Sequence, residues 1–413
     1  MTAPKTRTRI LLLLSVVGPG LIAASAGNDS GGISTYSVAG AQFGYATLWM
    51  IFVMTFSLAV VQETAARMGA VTGKGFAALI RERFGVRLTL FAMACLLASN
   101  AATSVAEFAG IAASMELFGV TKYISVPIGA VVVWLLVVRG SYRNVEKVFL
   151  AMSAVFVAYV FAAFMAKPDW GEVLQATFIP RFIGTRAFVM LVIATVGTTI
   201  APWMQFFVQS NMVDKGVSAK ELTYQRIDVV TGAVLANVIA WFIIVTTGTV
   251  LHPAGIQIED AASAAAALAP VAGAYAQGLF AIGLLSASLL AACVLPLTAS
   301  YAICEAFGWE AGLDRSWSEA PMFNGIYTFV IAFGAAVILL PDLPLISIMV
   351  FSQAVNGVLL PFLLLFMIRI VNDRRVMGRY VNGPIYNILT WTTVLVVLGL
   401  TGALVVMTVM GWT

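Results

Sequence analysis

Apolar runs long enough to cross a bilayer recur along the whole of this chain. Eleven of them, at about 10–40, 44–70, 87–118, 122–140, 145–166, 185–213, 225–250, 262–308, 322–341, 344–371 and 386–410, approach or exceed the ~20 residues a spanning helix needs. In hydrocarbon no water satisfies backbone N–H and C=O groups, so a chain of this kind folds as packed helices. The composition agrees: 61% of residues are hydrophobic, 10% are charged, and the mean hydropathy is +0.97. The expected fold class is all-α integral membrane, with about eleven transmembrane helices. The eighth run exceeds one span, so its alanine-rich start is expected outside the bilayer or at its interface.

Charge sets the expected orientation. With the N-terminus inside, 19 of the 23 lysines and arginines fall in inner segments; only Lys122, Lys167, Arg181 and Arg186 fall outside. This predicts a multi-pass protein of the cytoplasmic (inner) membrane of a prokaryote, N-terminus in the cytoplasm. The net charge of +4 follows from that bias and does not indicate nucleic acid. A signal peptide is the competing reading of the first run: Lys5, Arg7 and Arg9 precede the apolar Leu11–Leu14, and Ala24-Ser25-Ala26 resembles a cleavage site. The many later spans weigh against it. Cys95, Cys293 and Cys304 have no metal-ligand spacing and read as buried thiols.

Two spans are interrupted. The first contains Asn28-Asp29-Ser30-Gly31-Gly32. A carboxylate inside such a run is expensive and marks a substrate or ion path. Asn, Ser and Gly favour a break in the helix. The sixth contains Gly197, Thr198, Thr199 and Pro202, and proline removes a helix donor. Breaks five spans apart are the layout of an inverted repeat with its site between the halves. The predicted halves are 1–166 and 185–371, with an additional helix over 386–413; no sequence identity between the halves is evident.

The segment GPGLIAASAGNDSGGISTYSVAGAQFGY resembles the first helix of the Nramp divalent-metal transporters, which carry DPGN at the break and often AGAQFGY after it. GFAALIRERFG, TSVAEFAG and SQAVNGVLLP resemble further Nramp segments. The resemblance implies a LeuT-type 5+5 inverted repeat and a divalent metal ion as substrate, with no resident cofactor. In the family, a helix-one Asp and Asn, a helix-six Met in MPH and carbonyls at both breaks hold the metal. Here DPGN reads Asp29-Ser30-Gly31-Gly32, and MPH reads Ala201-Pro202-Trp203. The site implied is therefore Asp29 as anionic ligand, carbonyls of Ala26 and Thr198, Gly32 and Ala201 at two vacated ligand positions, and Gln353 near the ion or its water. Loss of the thioether removes a soft ligand, and carboxylate, carbonyl and water suit Mg²⁺, Ca²⁺ and Mn²⁺. The chain looks closest to the Nramp-related magnesium transporter branch, importing hydrated Mg²⁺ and also Mn²⁺.

Each of these residues has a plainer reading. Gln353 can serve as an interhelical hydrogen bond, Thr198 and Thr199 as back-bonding hydroxyls, and Trp203 as packing. Asn100, Asn237 and Asn356 read as interhelical glue. Glu63 and Asp228 are expected to pair with arginines such as Arg67 or Arg226. Glu107 has no cation near it in sequence and is read either as part of the path or as bonded to a helix neighbour. The family's proton route uses a helix-six His, a helix-three Asp and a helix-nine Arg. Those positions here are Trp203, Ser104 and a span without Lys, Arg or His, and the lone His252 sits in an outer loop. Transport without obligatory proton coupling is expected. The alternatives are a conventional proton-coupled Mn²⁺/Fe²⁺ carrier and an amino-acid or organic-cation symporter of the same fold. An intramembrane enzyme lacks any suitable nucleophile–base pair or His-rich metal motif. A monomer is expected.

Overall fold

The computed structural model describes residues 28–138, 154–219, 221–312 and 315–410. Among these the chain is helical throughout, without strands. The main helices are α1 (Ser30–Phe43), α2 (Leu48–Thr72), α3 (Phe76–Glu116), α4 (Lys122–Val138), α5 (Ala158–Ala166), α6 (Trp170–Phe178), α7 (Arg186–Thr199), α8 (Pro202–Asp214), α9 (Leu222–Val250), α10 (Ala276–Phe307), α11 (Pro321–Ile338), α12 (Leu345–Val371) and α13 (Pro384–Val409). Eight segments, with α7 and α8 taken together, are long and apolar enough to span a membrane. The other three predicted runs correspond to the shorter α4 and to α1 and α5, whose runs are described only from Asn28 and from Ala154 onward.

Three boundaries differ from the sequence reading. The charged stretch before residue 87 is helical, and α3 turns at Gly85, whose φ of 74° lies in the left-handed region glycine tolerates. The kink separates the charged start of α3 from its apolar run. The eighth run is not one helix: its alanine-rich start is a series of short helical turns over 261–275, before α10 begins. The unpredicted α6 is too short to register as a span. Its start is capped by Asp169, whose Oδ1 accepts from Gly171 N at 2.8 Å. Its Thr177 accepts from Trp241 Nε1 of α9 at 3.0 Å.

The core is built from two groups of helices. α3 packs along α10 and α12 and against α11, while α9 packs against α1 and α2, and α2 against α8. α7 joins the two groups by its contact with α12. There the backbones meet directly: a Cβ on Gly197 would come within 2.0 Å of Gln353 O, and one on Gly357 within 2.3 Å of Ile193 O. Small residues at such a seam let helices approach closely where lipid offers no hydrophobic drive between them. In the most apolar 18-residue stretch of the segment spanning α7 and α8, 89% of residues are buried, against 17% in that of α13, so the broken sixth span is central and the last span peripheral.

Candidate functional site at two helix starts

Asp29 is the N-cap of α1. Its backbone is extended, and Oδ1 accepts from Gly32 N at 2.6 Å. A carboxylate here meets the positive end of the helix dipole, which holds an anion in place. Asp29 is 2% exposed. The sequence reading placed Gly31 and Gly32 in an unwound stretch; they lie instead in the first helical turn. For Gly31 the reason is space rather than flexibility, since a Cβ there would lie 1.9 Å from Gln353 Nε2. Asn28, just before, donates from Nδ2 to Ala236 O of α9 at 3.4 Å.

The sixth span breaks between Ile200 (φ −122°, ψ 62°) and Ala201 (φ −64°, ψ 140°), and α8 restarts with Pro202 at its first position. Thr198 and Thr199 remain in the last turn of α7, so the interruption is confined to Ile200 and Ala201. Proline has no N–H, so Pro202 cannot offer the Thr198 carbonyl the i+4 bond of a continuous helix. Thr199 Oγ1 donates to Thr195 O at 2.7 Å and pairs with Tyr36 OH of α1 at 3.0 Å. Back-bonding was the plainer reading for Thr199, and the tie to Tyr36 was not foreseen. Thr198 Oγ1 is buried with no hydrogen-bond partner among the described residues. The two breaks border one small cavity, lined by Asn28, Tyr36, Thr199 and Met204 among others.

α3 and α12 close the site from the other group of helices. Glu107 is fully buried; its Oε2 accepts from Ser30 N at 3.3 Å and lies 3.0 Å from Ser30 Oγ. Glu107 Oε1 has no partner among the described residues. Gln353 Nε2 points at Asp29 Oδ1 across 3.5 Å, and its Oε1 accepts from Asn356 Nδ2 at 2.9 Å. No ion pair among the described residues involves Asp29 or Glu107. Two buried carboxyl groups beside a helix start, with no cation from the chain, form a place where a positively charged ligand is favoured. No cluster of three or more His, Cys, Asp or Glu is present among the described residues.

Of the six candidate ligands, Asp29, Gly32 and Gln353 come together at the start of α1. Thr198 and Ala201 flank the break of the sixth span, both buried. Ala26 lies outside the described residues. Trp203 is buried, and its ring packs on Phe207 at 5.8 Å, as the packing reading has it. Glu63 pairs with both Arg67 and Arg226, as expected. His252 is exposed, and its Nδ1 lies 2.9 Å from Ala41 O at the far end of α1. Sequence reasoning left three neighbours out of the site: Ser30, Tyr36 and Met204. Met204 comes in only through tertiary packing, whereas Ser30 adjoins Asp29 and Tyr36, seven residues past it, falls on the same helical face.

The profile of the family described as Nramp, natural resistance-associated macrophage protein-like, matches residues 20–407. The protein named divalent metal cation transporter MntH of Verminephrobacter eiseniae is 26% identical over 96% of this chain and 90% of its own length. The like-named protein of Deinococcus radiodurans is 26% identical over 95% and 89%. Among solved structures, the manganese transporter of Eremococcus coleocola superposes with a TM-score of 0.80 at 20% identity, covering 98% of this chain and 88% of that one. Mhp1, a nucleobase-cation-symport-1 family transporter, superposes at 0.58 with 16% identity, over 94% and 91%.

Proposed function

The chain belongs to the Nramp family, and from that premise we propose that it imports divalent metal ions through a site centred on Asp29, taking Mg²⁺ with several waters retained and also Mn²⁺. It is a multi-pass membrane transporter of divalent metal cations, not an enzyme, and the metal is cargo. The observation that carries the finer reading is the donor set. At the start of α1 the buried groups are the Asp29 carboxylate, the nearby Glu107, an amide turned nitrogen-first, and the side-chain-free Gly32. At the other break Ala201 offers only a methyl group. Hard oxygen donors beside positions without a ligating side chain suit an ion that dehydrates reluctantly and keeps much of its water.

The second feature of the reading is transport without obligatory proton coupling, into a cytoplasm that holds the N-terminus. α11 has no Lys, Arg or His. Where it faces α3, Gly334 packs on Ser104 and Phe108. An inside-negative potential suffices to drive import, at ~4.6 kcal/mol per 100 mV for a dication. The two five-span halves, 1–166 and 185–371, would then move against each other around the Asp29 site as a monomer.

One observation favours a second reading, a conventional manganese carrier. The thioether missing at Ala201 has a counterpart three residues on, since Met204 borders the cavity shared by Asn28 and Thr199. Its sulfur accepts a hydrogen bond from Gln62 Nε2 at 3.7 Å, so it is engaged elsewhere. Uptake of Mg²⁺ and Mn²⁺ into proteoliposomes, with a pH dye inside, separates the two. The first reading expects flux of both ions without matching acidification, faster at inside-negative potential. Exclusion of Mg²⁺, with Mn²⁺ flux weakened by Met204→Ala, would establish the second.

A further inference from the structure

We propose that Asn356 sets the ion preference of the site, by holding the Gln353 amide with its nitrogen toward Asp29 and its oxygen away. The proposal rests on Asp29 being the cation ligand. Its basis is a chain of hydrogen bonds whose polarity is fixed at one end. A backbone carbonyl can only accept. Thr103 Oγ1 has one proton and two acceptors in reach, Ser99 O at 2.9 Å and Asn356 Oδ1 at 3.3 Å; given to the nearer Ser99 O, it leaves the hydroxyl to accept from Asn356. Asn356 Nδ2 donates to that hydroxyl at 2.9 Å, and its second proton goes to Gln353 Oε1, also at 2.9 Å. Asn356 Oδ1 is taken by the Ser99 hydroxyl at 2.6 Å. What Gln353 has left for Asp29 is Nε2, at 3.5 Å.

Turning Gln353 alone would set its nitrogen against Asn356 Nδ2 and its oxygen against the Asp29 carboxylate. Turning Asn356 alone would leave a buried amide oxygen against the Gln353 oxygen, and turning both together would still set the Gln353 oxygen against the Asp29 carboxylate. Ser99, Thr103, Gln353 and Asn356 are all fully buried, so water offers neither amide a replacement partner. A buried polar network of this kind is stable only when every member is satisfied, which makes the orientation of one amide the concern of all four side chains.

The consequence is chemical. An amide oxygen ligates a cation and displaces one of its waters; an amide nitrogen cannot. With Gln353 held nitrogen-first, the ion meets no amide oxygen and keeps a water in that place. Mg²⁺ loses least by this, because it surrenders water most reluctantly. Releasing Gln353 lets its oxygen turn to the ion and favours Mn²⁺, which exchanges water for a protein ligand more readily. Asn356 touches no ion, so it is a positioning residue, and Ser99 and Thr103 of α3 position it in turn.

The test is a mutant cycle read as the KM for Mn²⁺ and for Mg²⁺ in proteoliposomes. Asn356→Leu keeps the bulk and removes the donor. It is expected to lower the KM for Mn²⁺ about fivefold, the factor one net hydrogen bond contributes, with that for Mg²⁺ unchanged. Thr103→Val, which removes the acceptor that fixes Asn356, is expected to move the ratio the same way by less, and it carries the test should Asn356→Leu fold poorly. In a Gln353→Ala background neither substitution should change the ratio. Equal changes for both ions, or a shift that persists without Gln353, would overturn the proposal and leave Asn356 a packing residue. A wild-type protein that rejects Mg²⁺ would overturn the magnesium reading instead, while the Mn²⁺ KM across the same cycle would still decide the role of Asn356.

Discussion

Among the described residues, two of the places that bury a carboxylate treat it in opposite ways. At the C-terminal part of α2, Glu63 is 1% exposed and holds two guanidinium groups: Arg67 Nε lies 3.2 Å from Oε2 and Arg226 Nε 2.6 Å from Oε1. Arg67 is satisfied in turn by Tyr380 O, by Asn382 Oδ1 and by the face of Tyr386. At the start of α1, Asp29 and Glu107 are as deeply buried, yet the described chain supplies them with hydrogen-bond donors and no cation. The first place is closed: its carboxylate is matched by cations of the chain, and it links α2, α9 and the segment before α13. The second is left open on the positive side. On the proposed reading a divalent ion would fill it; burial alone does not distinguish a structural acid from a functional one, whereas the identity of its partners can.

The largest expected effect lies at the open place. Asp29→Asn keeps the shape and the N-cap, since an amide oxygen can still accept from Gly32 N, but removes the charge. Metal flux in proteoliposomes is expected to vanish while the protein elutes and melts as the wild type does. Normal Mg²⁺ flux in this variant would break the comparison at its centre.

The closed place should respond in the opposite sense. Glu63→Gln strands Arg67, 4% exposed, without its carboxylate, and removing one partner of a buried pair typically costs about 3 kcal/mol. Arg226 is half exposed and contributes little to that figure. The expected result is a clearly lower melting temperature in detergent, with KM for metal unchanged in whatever protein remains folded. A changed KM with unchanged melting would assign Glu63 to the ion path.

How far these two places were legible in sequence follows from which interactions are local. The spans were legible because length and hydropathy are properties of a run, and Pro202 announced the second break by its missing donor. Asp29 stood out as a charge in an apolar run, and the pairing of Glu63 with arginines four residues on and at the start of α9 was anticipated from charge alone. The neighbours of Asp29 were not legible. Ser30 meets Glu107 across 77 positions, and Gln353 meets Asp29 across 324. Gln353 and Asn356 share a face of α12 by their spacing of three, but nothing in the sequence says that α3 lies opposite. Gly31 illustrates the limit: its lack of a side chain signals a break and a close approach equally, and only the position of Gln353 decides between them.

A smaller effect is expected from Ala201→Met, which returns a soft donor to the break between α7 and α8. Ala201 is 2% exposed, so the longer side chain must fit into the site itself. Competition assays should show the preference moving several-fold toward Cd²⁺ and Mn²⁺ over Mg²⁺, as a thioether ligand would cause. An unchanged order of preference would mean that residue 201 does not reach the ion, and would sharpen the comparison onto α1 alone.

The smallest expected effect is that of Glu107→Gln, and it tests whether the open place holds one working charge or two. Glu107 accepts from Ser30 N and lies beside Ser30 Oγ, both through Oε2, and an amide oxygen can take over that position without moving α3. What disappears is the second acidic group near the ion. If Asp29 is the direct ligand and Glu107 acts on the ion through the field and through Ser30, affinity should fall only a few-fold, because a charge one residue removed from the ligand adds attraction without a bond. Flux should persist, with KM raised for Mg²⁺ and Mn²⁺ by the same factor, since charge does not discriminate between ions of equal valence. Loss of flux as complete as in Asp29→Asn would make Glu107 a ligand in its own right. Metal-driven acidification of liposomes by the wild type, lost in Glu107→Gln, would show instead that this carboxyl carries protons, and the open place would then serve two cargoes.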